Sequence, residues 1–284
     1  MRRILAPALA ALALAAPATA GLGDPQVAAL QVGLKERRLY AGPVDGVLGP
    51  KTSAAVQRLQ RRARIVPDGL PGPQTRAALG RFGAHPLGSR TIGTGMSGWD
   101  VAVLQFSLAW HGFPSGVFDG DFGPRTQAAL TRFQEWAGLP PAGHAGARTL
   151  AALREPPATS PLQLAWPLGL PVTDTFGPRG DRFHAGIDIP AAYGKIVRAA
   201  ASGWVVYAGW RDGGWGNQVT VAHASGVRTI YAHLLAVDVE LGDVVTMGTP
   251  VGQVGASGSA TGPHLHFEVR LRGAAVDPLT ALRN

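Results

Sequence analysis

The apolar and polar positions of this chain keep two different rhythms, one in each half. In the first half apolar side chains return every three or four residues: Val27, Leu30 and Leu34 form one stripe with Gln31, and Ala55, Val56 and Leu59 form another behind Thr52. That spacing predicts helices with one buried face. Both stripes recur 74 residues later, where Val27 aligns with Val101, Leu30-Gln31 with Leu104-Gln105, Leu34 with Leu108, and Thr52 with Thr126. The register holds without a gap through Asp45-Gly46 and Asp119-Gly120, Gly49-Pro50 and Gly123-Pro124, Gln60 and Gln134, Thr75 and Thr149, and Leu79 and Leu153. This is a tandem duplication. A smaller echo lies inside the first copy, where Asp68-Gly69, Gly72-Pro73 and Thr75 repeat Asp45-Gly46, Gly49-Pro50 and Thr52. The repeated unit is therefore a tight Asp-Gly turn feeding a helix that starts on proline, which has the helical φ and no amide hydrogen to leave unpaired. Each copy is predicted to be a small three-helix bundle, over residues 24–82 and 98–153.

From Trp166 onward the helical period disappears and short β-rich runs punctuated by glycine replace it. Strands are predicted at 197–199, 203–208, 218–223, 227–233, 250–254 and 265–270, with Ala224-Ser225-Gly226 as a hairpin loop. The expected fold class is multidomain: two all-α repeats, then a mainly antiparallel all-β domain over 166–284. The glycine-rich stretch Arg90 to Gly98 reads as a first linker and the proline-rich stretch 154–165 as a second, stiffer one.

Composition adds the compartment. Met1-Arg2-Arg3, the apolar run Ile4 to Ala16 and Ala18-Thr19-Ala20 have the three parts of an export signal over residues 1–20. The run contains Pro7 and is shorter than the roughly 20 residues that span a bilayer, so no stable membrane insertion is expected after cleavage. With no cysteine, disulfides and thiolate metal ligands are excluded. The net charge of +8 is carried by the N-terminal half, with Lys35, Arg37, Arg38, Lys51, Arg58, Arg61, Arg62 and Arg64 crowded into the first copy. Such a cluster concentrates an anionic polymer. Nucleic acid is not the expected polymer, since an exported protein meets the cell wall first and no aromatic-interleaved nucleic-acid motif accompanies the charges.

The candidate chemistry lies in the second half. Alternation in His184-Ala185-Gly186-Ile187-Asp188 places His184, Gly186 and Asp188 on one strand face, and His264-Leu265-His266-Phe267-Glu268 places both imidazoles and Glu268 on another. Pairing the two strands would bring imidazole nitrogens and a carboxylate oxygen together. That donor set suits zinc, with three protein ligands leaving one position open for catalysis. Strand geometry alone does not say whether His264 or His266 takes the metal.

Phe183-His184-Ala185-Gly186-Ile187-Asp188, Tyr231-Ala232-His233-Leu234 and Gly262-Pro263-His264-Leu265-His266-Phe267-Glu268 together resemble the lysostaphin-like zinc endopeptidases of bacterial cell walls. The Leu-Gln, Val-Asp-Gly and Gly-Pro-x-Thr pattern of the two copies is similar to the three-helix peptidoglycan-binding domain. The resemblance implies one zinc ion held by His184, Asp188 and His266, with His233 and His264 as the catalytic imidazoles. Glu268 would then orient a ligand histidine. It further implies an exported peptidoglycan endopeptidase of the periplasm or cell wall, cutting peptide stems or cross-links by metal-activated water. The rival expectations are an amidase or carboxypeptidase on the same polymer, and a silent wall-binding activator of another hydrolase.

Overall fold

The computed structural model describes residues 22–283; the export signal expected over residues 1–20 lies outside them. Six helices come first: α1 (Pro25–Glu36), α2 (Pro50–Arg62) and α3 (Pro73–Ala78) in the first copy, then α4 (Trp99–Trp110), α5 (Pro124–Trp136) and α6 (Ala147–Ala152) in the second. Four of the six begin on proline, as the turn-to-helix unit requires.

The duplicated motif has a physical basis in one buried glutamine. The Gln31 amide donates to Asp45 Oδ1 (2.7 Å), the Val47 carbonyl (3.1 Å) and Thr52 Oγ1 (3.2 Å), while its Oε1 accepts from the amides of Asp45 and Gly46. Gln105 repeats this with Asp119, Asp121, Gly120 and Thr126. Gln60 does the same with Asp68, Leu70, Gly69 and Thr75. At the fourth site Ala142 replaces the aspartate and that one bond is missing, while Gln134 keeps the carbonyl of His144 (the counterpart of Leu70), Thr149 and Gly143. Each lock satisfies a buried amide with a turn and the helix behind it, so Gln, the turn glycine and Thr recur together at all four sites and Asp at three of them.

The two copies pack through α1 and α4. Both helices are buried almost all round, over Val27 to Leu34 and over Trp99 to Phe106, because each is the other's partner. Trp99 Nε1 donates to Gln26 Oε1 at 2.7 Å across the junction. The stretch from Arg90 to Gly98 is tied to the second copy, with Ile92 fully buried and bridged to Ala145, and Arg90 paired with the buried Asp100 at 2.7 Å.

The strands are β1 (Leu164–Ala165), β2 (Gly177–Arg179), β3 (Arg182–His184), β4 (Ile187–Pro190), β5 (Ile196–Arg198), β6 (Gly203–Arg211), β7 (Gly216–Ala222), β8 (Val227–Val237), β9 (Val244–Val245), β10 (Pro250–Val254), β11 (His264–Leu271), β12 (Ala274–Val276) and β13 (Leu282–Arg283). The main sheet runs β12-β11-β8-β7-β6-β9, with β4 on β11 and β10 joining β8 to β5. Every pairing is antiparallel except β1 with β13. One face of this sheet buries Ile187, Ile189, Val219, Tyr231, Leu265, Phe267 and Val269, leaving the alternate positions of β4 and β11 for chemistry. The proline-rich stretch does not hang free: Ala158 and Leu162 pack on this core.

Candidate metal centre and cleft

Register brings the site together. On β11 and β4, His266 stands opposite Asp188 and His264 opposite Pro190, so the carboxylate meets His266 directly. His184 arrives from the end of β3, with two residues between it and β4. Gly186 makes the approach possible: a Cβ there would stand 2.4 Å from the Phe267 carbonyl oxygen and 3.0 Å from His266 Cε1.

His184 Nε2 lies 3.1 Å from Asp188 Oδ1 and 3.1 Å from His266 Nδ1, and His266 Nδ1 lies 2.8 Å from Asp188 Oδ1. The opposite ring nitrogens are engaged elsewhere. His184 Nδ1 faces the Thr175 carbonyl at 3.0 Å, and His266 Nε2 faces Glu268 Oε1 at 3.3 Å. A carbonyl or carboxylate can only accept, so those nitrogens carry hydrogens, and when the rings are neutral the inner pair present lone pairs. Two nitrogen lone pairs and a carboxylate oxygen thus converge with only negative or neutral character, and a cation satisfies them.

The electrostatics agree. Burial pushes the Asp188 carboxyl upward, but the hydrogen bonds and charges of His184 and His266 outweigh it and hold the group well below the usual carboxylate range. Burial works against the His266 imidazolium, yet Asp188 and Glu268 overcome it and push its pKa up to about 9. Without a metal, the cluster binds a proton in the metal's place. Glu268 is fully buried; desolvation raises it, but Arg270, whose Nε donates to Oε2 at 2.7 Å, and His266 lower it overall and keep it ionised.

His233 and His264 stand beside this cluster, 4.9 Å apart between ring centroids, with His233 5.8 Å from His266. His233 Nδ1 donates to the Ser257 carbonyl and His264 Nδ1 to the Gly262 carbonyl, each at 2.9 Å, which leaves both Nε2 atoms as bases. Burial is the main cause that lowers the His233 pKa, with the imidazoles of His266 and His264 adding to it against the Ser257 bond and Asp188. His233 therefore stays neutral. Its backbone sits at φ +61°, in the left-handed region, and its amide donates to the Trp215 carbonyl at 3.0 Å.

All five sequence-predicted residues are in one place, and four of them, Asp188, His233, His264 and His266, line an open cleft of about 470 Å³. Glu268 lies beneath it. His223 is structural, bonded to the Ser202 carbonyl and Thr229 Oγ1. Sequence reasoning gave no role to Arg179 or Trp215. Arg179 Nη1 donates to Asp188 Oδ2 (3.1 Å) and Asp174 Oδ2 (2.7 Å), fixing the outer carboxylate oxygen. Trp215 forms a wall of the cleft, edge-on to His266. Its setting between Gly214 and Gly216 was the available signal.

A His184, Asp188 and His266 cluster suited to one metal ion, with two further imidazoles beside it on the strands of an antiparallel sheet, defines the class. Residues 182–278 match peptidase family M23, and residues 23–79 and 97–153 each match the peptidoglycan binding domain. The chain thus carries an M23-family metallopeptidase domain preceded by two peptidoglycan-binding domains. It is 48% identical over 99 residues to the DD-carboxypeptidase/endopeptidase Mpg of Neisseria meningitidis, covering 35% of this chain and 23% of that protein. It is 37% identical over 127 residues to the cell division protein DipM of Caulobacter vibrioides, covering 42% and 21%. Among solved structures, lysostaphin from Staphylococcus simulans is 34% identical, with 43% of this chain and 53% of that one covered and a TM-score of 0.39. The chain spans about a quarter of the length of the curated relatives it matches.

Proposed function

We propose that this protein is an exported, zinc-dependent peptidoglycan endopeptidase that hydrolyses peptide stems or cross-links in the periplasm or cell wall. The observation that carries the reading is the convergence of His184 Nε2, Asp188 Oδ1 and His266 Nδ1 within 3.1 Å, beside two imidazoles whose Nε2 atoms are free. The N,N,O donor set without sulfur favours zinc, with His184, Asp188 and His266 as its ligands. Bound there, zinc supplies Lewis acidity toward a scissile carbonyl and toward water. His233 and His264 take the water proton, hydrogen-bond the developing oxyanion and return a proton to the leaving amine. Arg179 and Glu268 keep Asp188 and His266 oriented. No acyl-enzyme is required.

A carboxypeptidase reading stands second because the Neisseria relative is named for both activities. The test is mass spectrometry of soluble products after incubating zinc-loaded protein with purified peptidoglycan, beside His233→Ala. New termini within cross-links or stems, absent in the control, support an endopeptidase. Release of single terminal amino acids alone would favour the second reading. A folded, zinc-loaded protein that sediments with wall and releases nothing would sink both and favour the silent activator.

A further inference from the structure

The strand pair β2–β3 carries Arg179 on one strand and His184 on the other, so it holds both a metal-site donor and the arginine that fixes Asp188. Its turn, Gly180-Asp181, is held by both repeats. The Val44 amide of the first repeat donates to the Gly180 carbonyl at 2.8 Å, and the Phe118 amide of the second donates to the Asp181 carbonyl at 2.7 Å. Val44 and Phe118 are 74 residues apart, the same position in the two copies. Lys35 Nζ adds an ion pair to Asp181 Oδ1 at 2.7 Å. Behind the turn, the ring of Trp110 meets Phe183 at 5.2 Å and Phe176 at 6.0 Å, both edge-on.

The copies differ where they touch the peptidase domain. Trp110 and Trp136 of the second copy stand where the first has Glu36 and Arg62. Trp136 Nε1 donates to the Leu271 carbonyl at the end of β11, the strand of His266. Gly112 replaces Arg38 at a left-handed position, and its carbonyl accepts from the Ala275 amide of β12; a Cβ there would stand 2.2 Å from the Ala275 oxygen. A mere tether needs neither aromatic anchors nor a glycine at the contact.

We infer that the paired repeats form a cradle for the β2–β3 turn and position His184 for the metal, so that metal affinity depends on residues of the peptidoglycan-binding domains. The inference rests on His184, Asp188 and His266 being the metal ligands. Lys35 and Trp110 are positioning residues, acting through the hairpin without touching metal or substrate. Outer supports of metal ligands commonly change affinity by about 10- to 100-fold.

The test uses the full chain and zinc as the probe, with affinity read by competition against a chromogenic chelator and hairpin order by amide exchange over residues 177–184. Trp110→Leu combined with Lys35→Met is expected to weaken zinc about 10-fold and to speed exchange. Leu150→Ala, in the second repeat's own core, serves as the stability control; it lowers the melting temperature but leaves zinc affinity within about twofold. Lys35→Met alone, at a partly exposed site, gives a milder change in the same direction and covers misfolding of the double variant. Wild-type zinc affinity in both junction variants, or equal weakening in Leu150→Ala, overturns the cradle while the ligand assignment stands. If wild type binds no divalent metal, or His184→Ala keeps wild-type affinity, the ligand assignment falls and the cradle's role with it.

Discussion

Glu268 separates a ligand from a ligand's support. Its carboxylate is fully buried, 3.3 Å from His266 Nε2 and 2.7 Å from Arg270 Nε. Glu268→Gln keeps an acceptor for the imidazole but removes the charge that pairs Arg270. Breaking a buried ion pair costs about 3–5 kcal/mol; Arg270 is a quarter exposed and can turn to water, so about 2 kcal/mol is expected, near the strength of a charged hydrogen bond. The effect on zinc follows from a less basic His266: about 10-fold weaker binding, roughly 1.4 kcal/mol. Asp188→Asn removes a donor atom instead. After gel filtration, Glu268→Gln should retain one equivalent of zinc and Asp188→Asn should not, with chelator competition giving the affinities and thermal melts the stability. Equal zinc loss in the two variants would refute the division of roles, and an unchanged Glu268→Gln would refute the support itself.

Metal-free protein should lose stability as pH rises. His266 is raised from its ordinary 6.5 to about 9, so its contribution is complete below pH 6.5 and lost as pH passes through 9; thermal melts across that window should show a fall of up to about 3 kcal/mol that zinc abolishes. Zinc binding near pH 7 should release a proton from His266, seen as a buffer-dependent heat in calorimetry. Gly186→Ala drives a methyl into the Phe267 carbonyl and should cost about 1–3 kcal/mol and most of the zinc affinity, measured by melts and metal content. His233→Gly relieves a left-handed backbone while losing one hydrogen bond, so stability should stay within about 1 kcal/mol and zinc should remain, yet peptidoglycan hydrolysis should vanish. Replacing Arg61, Arg62 and Arg64 with Gln should weaken sedimentation with purified wall, most visibly at low salt; unchanged binding would remove the first repeat's charge from the account.

The helical repeats were legible because each buried glutamine recurs with a turn glycine and a Thr, and in three of the four sites with Asp, so chemistry and periodicity carry the same message. The long strands were legible from alternation, including the pairing that joins Asp188 to His266. Strand pair β2–β3 was not, since three-residue strands, one holding Pro178 and joined by a turn at Gly180, have no period to detect. The burial of α1 and α4 on nearly every side also escaped a single-stripe reading, because the covering surface is another copy of the same unit. Between His264 and His266 the sequence was neutral; the register sets His266 opposite Asp188 and His264 opposite Pro190.

The shared packing of Trp110, Phe176, Phe183 and Ala275 places family boundaries and folding boundaries in different places. Severing the chain in the proline-rich stretch would leave Phe176 and Phe183 on the surface of an isolated peptidase fragment, a greasy scar beside the metal ligands and a nucleus for aggregation. The intact chain should melt in one cooperative step, with the helical half and the β half surrendering their structure together. Its least divisible seam runs between the domains that sequence comparison separates most cleanly.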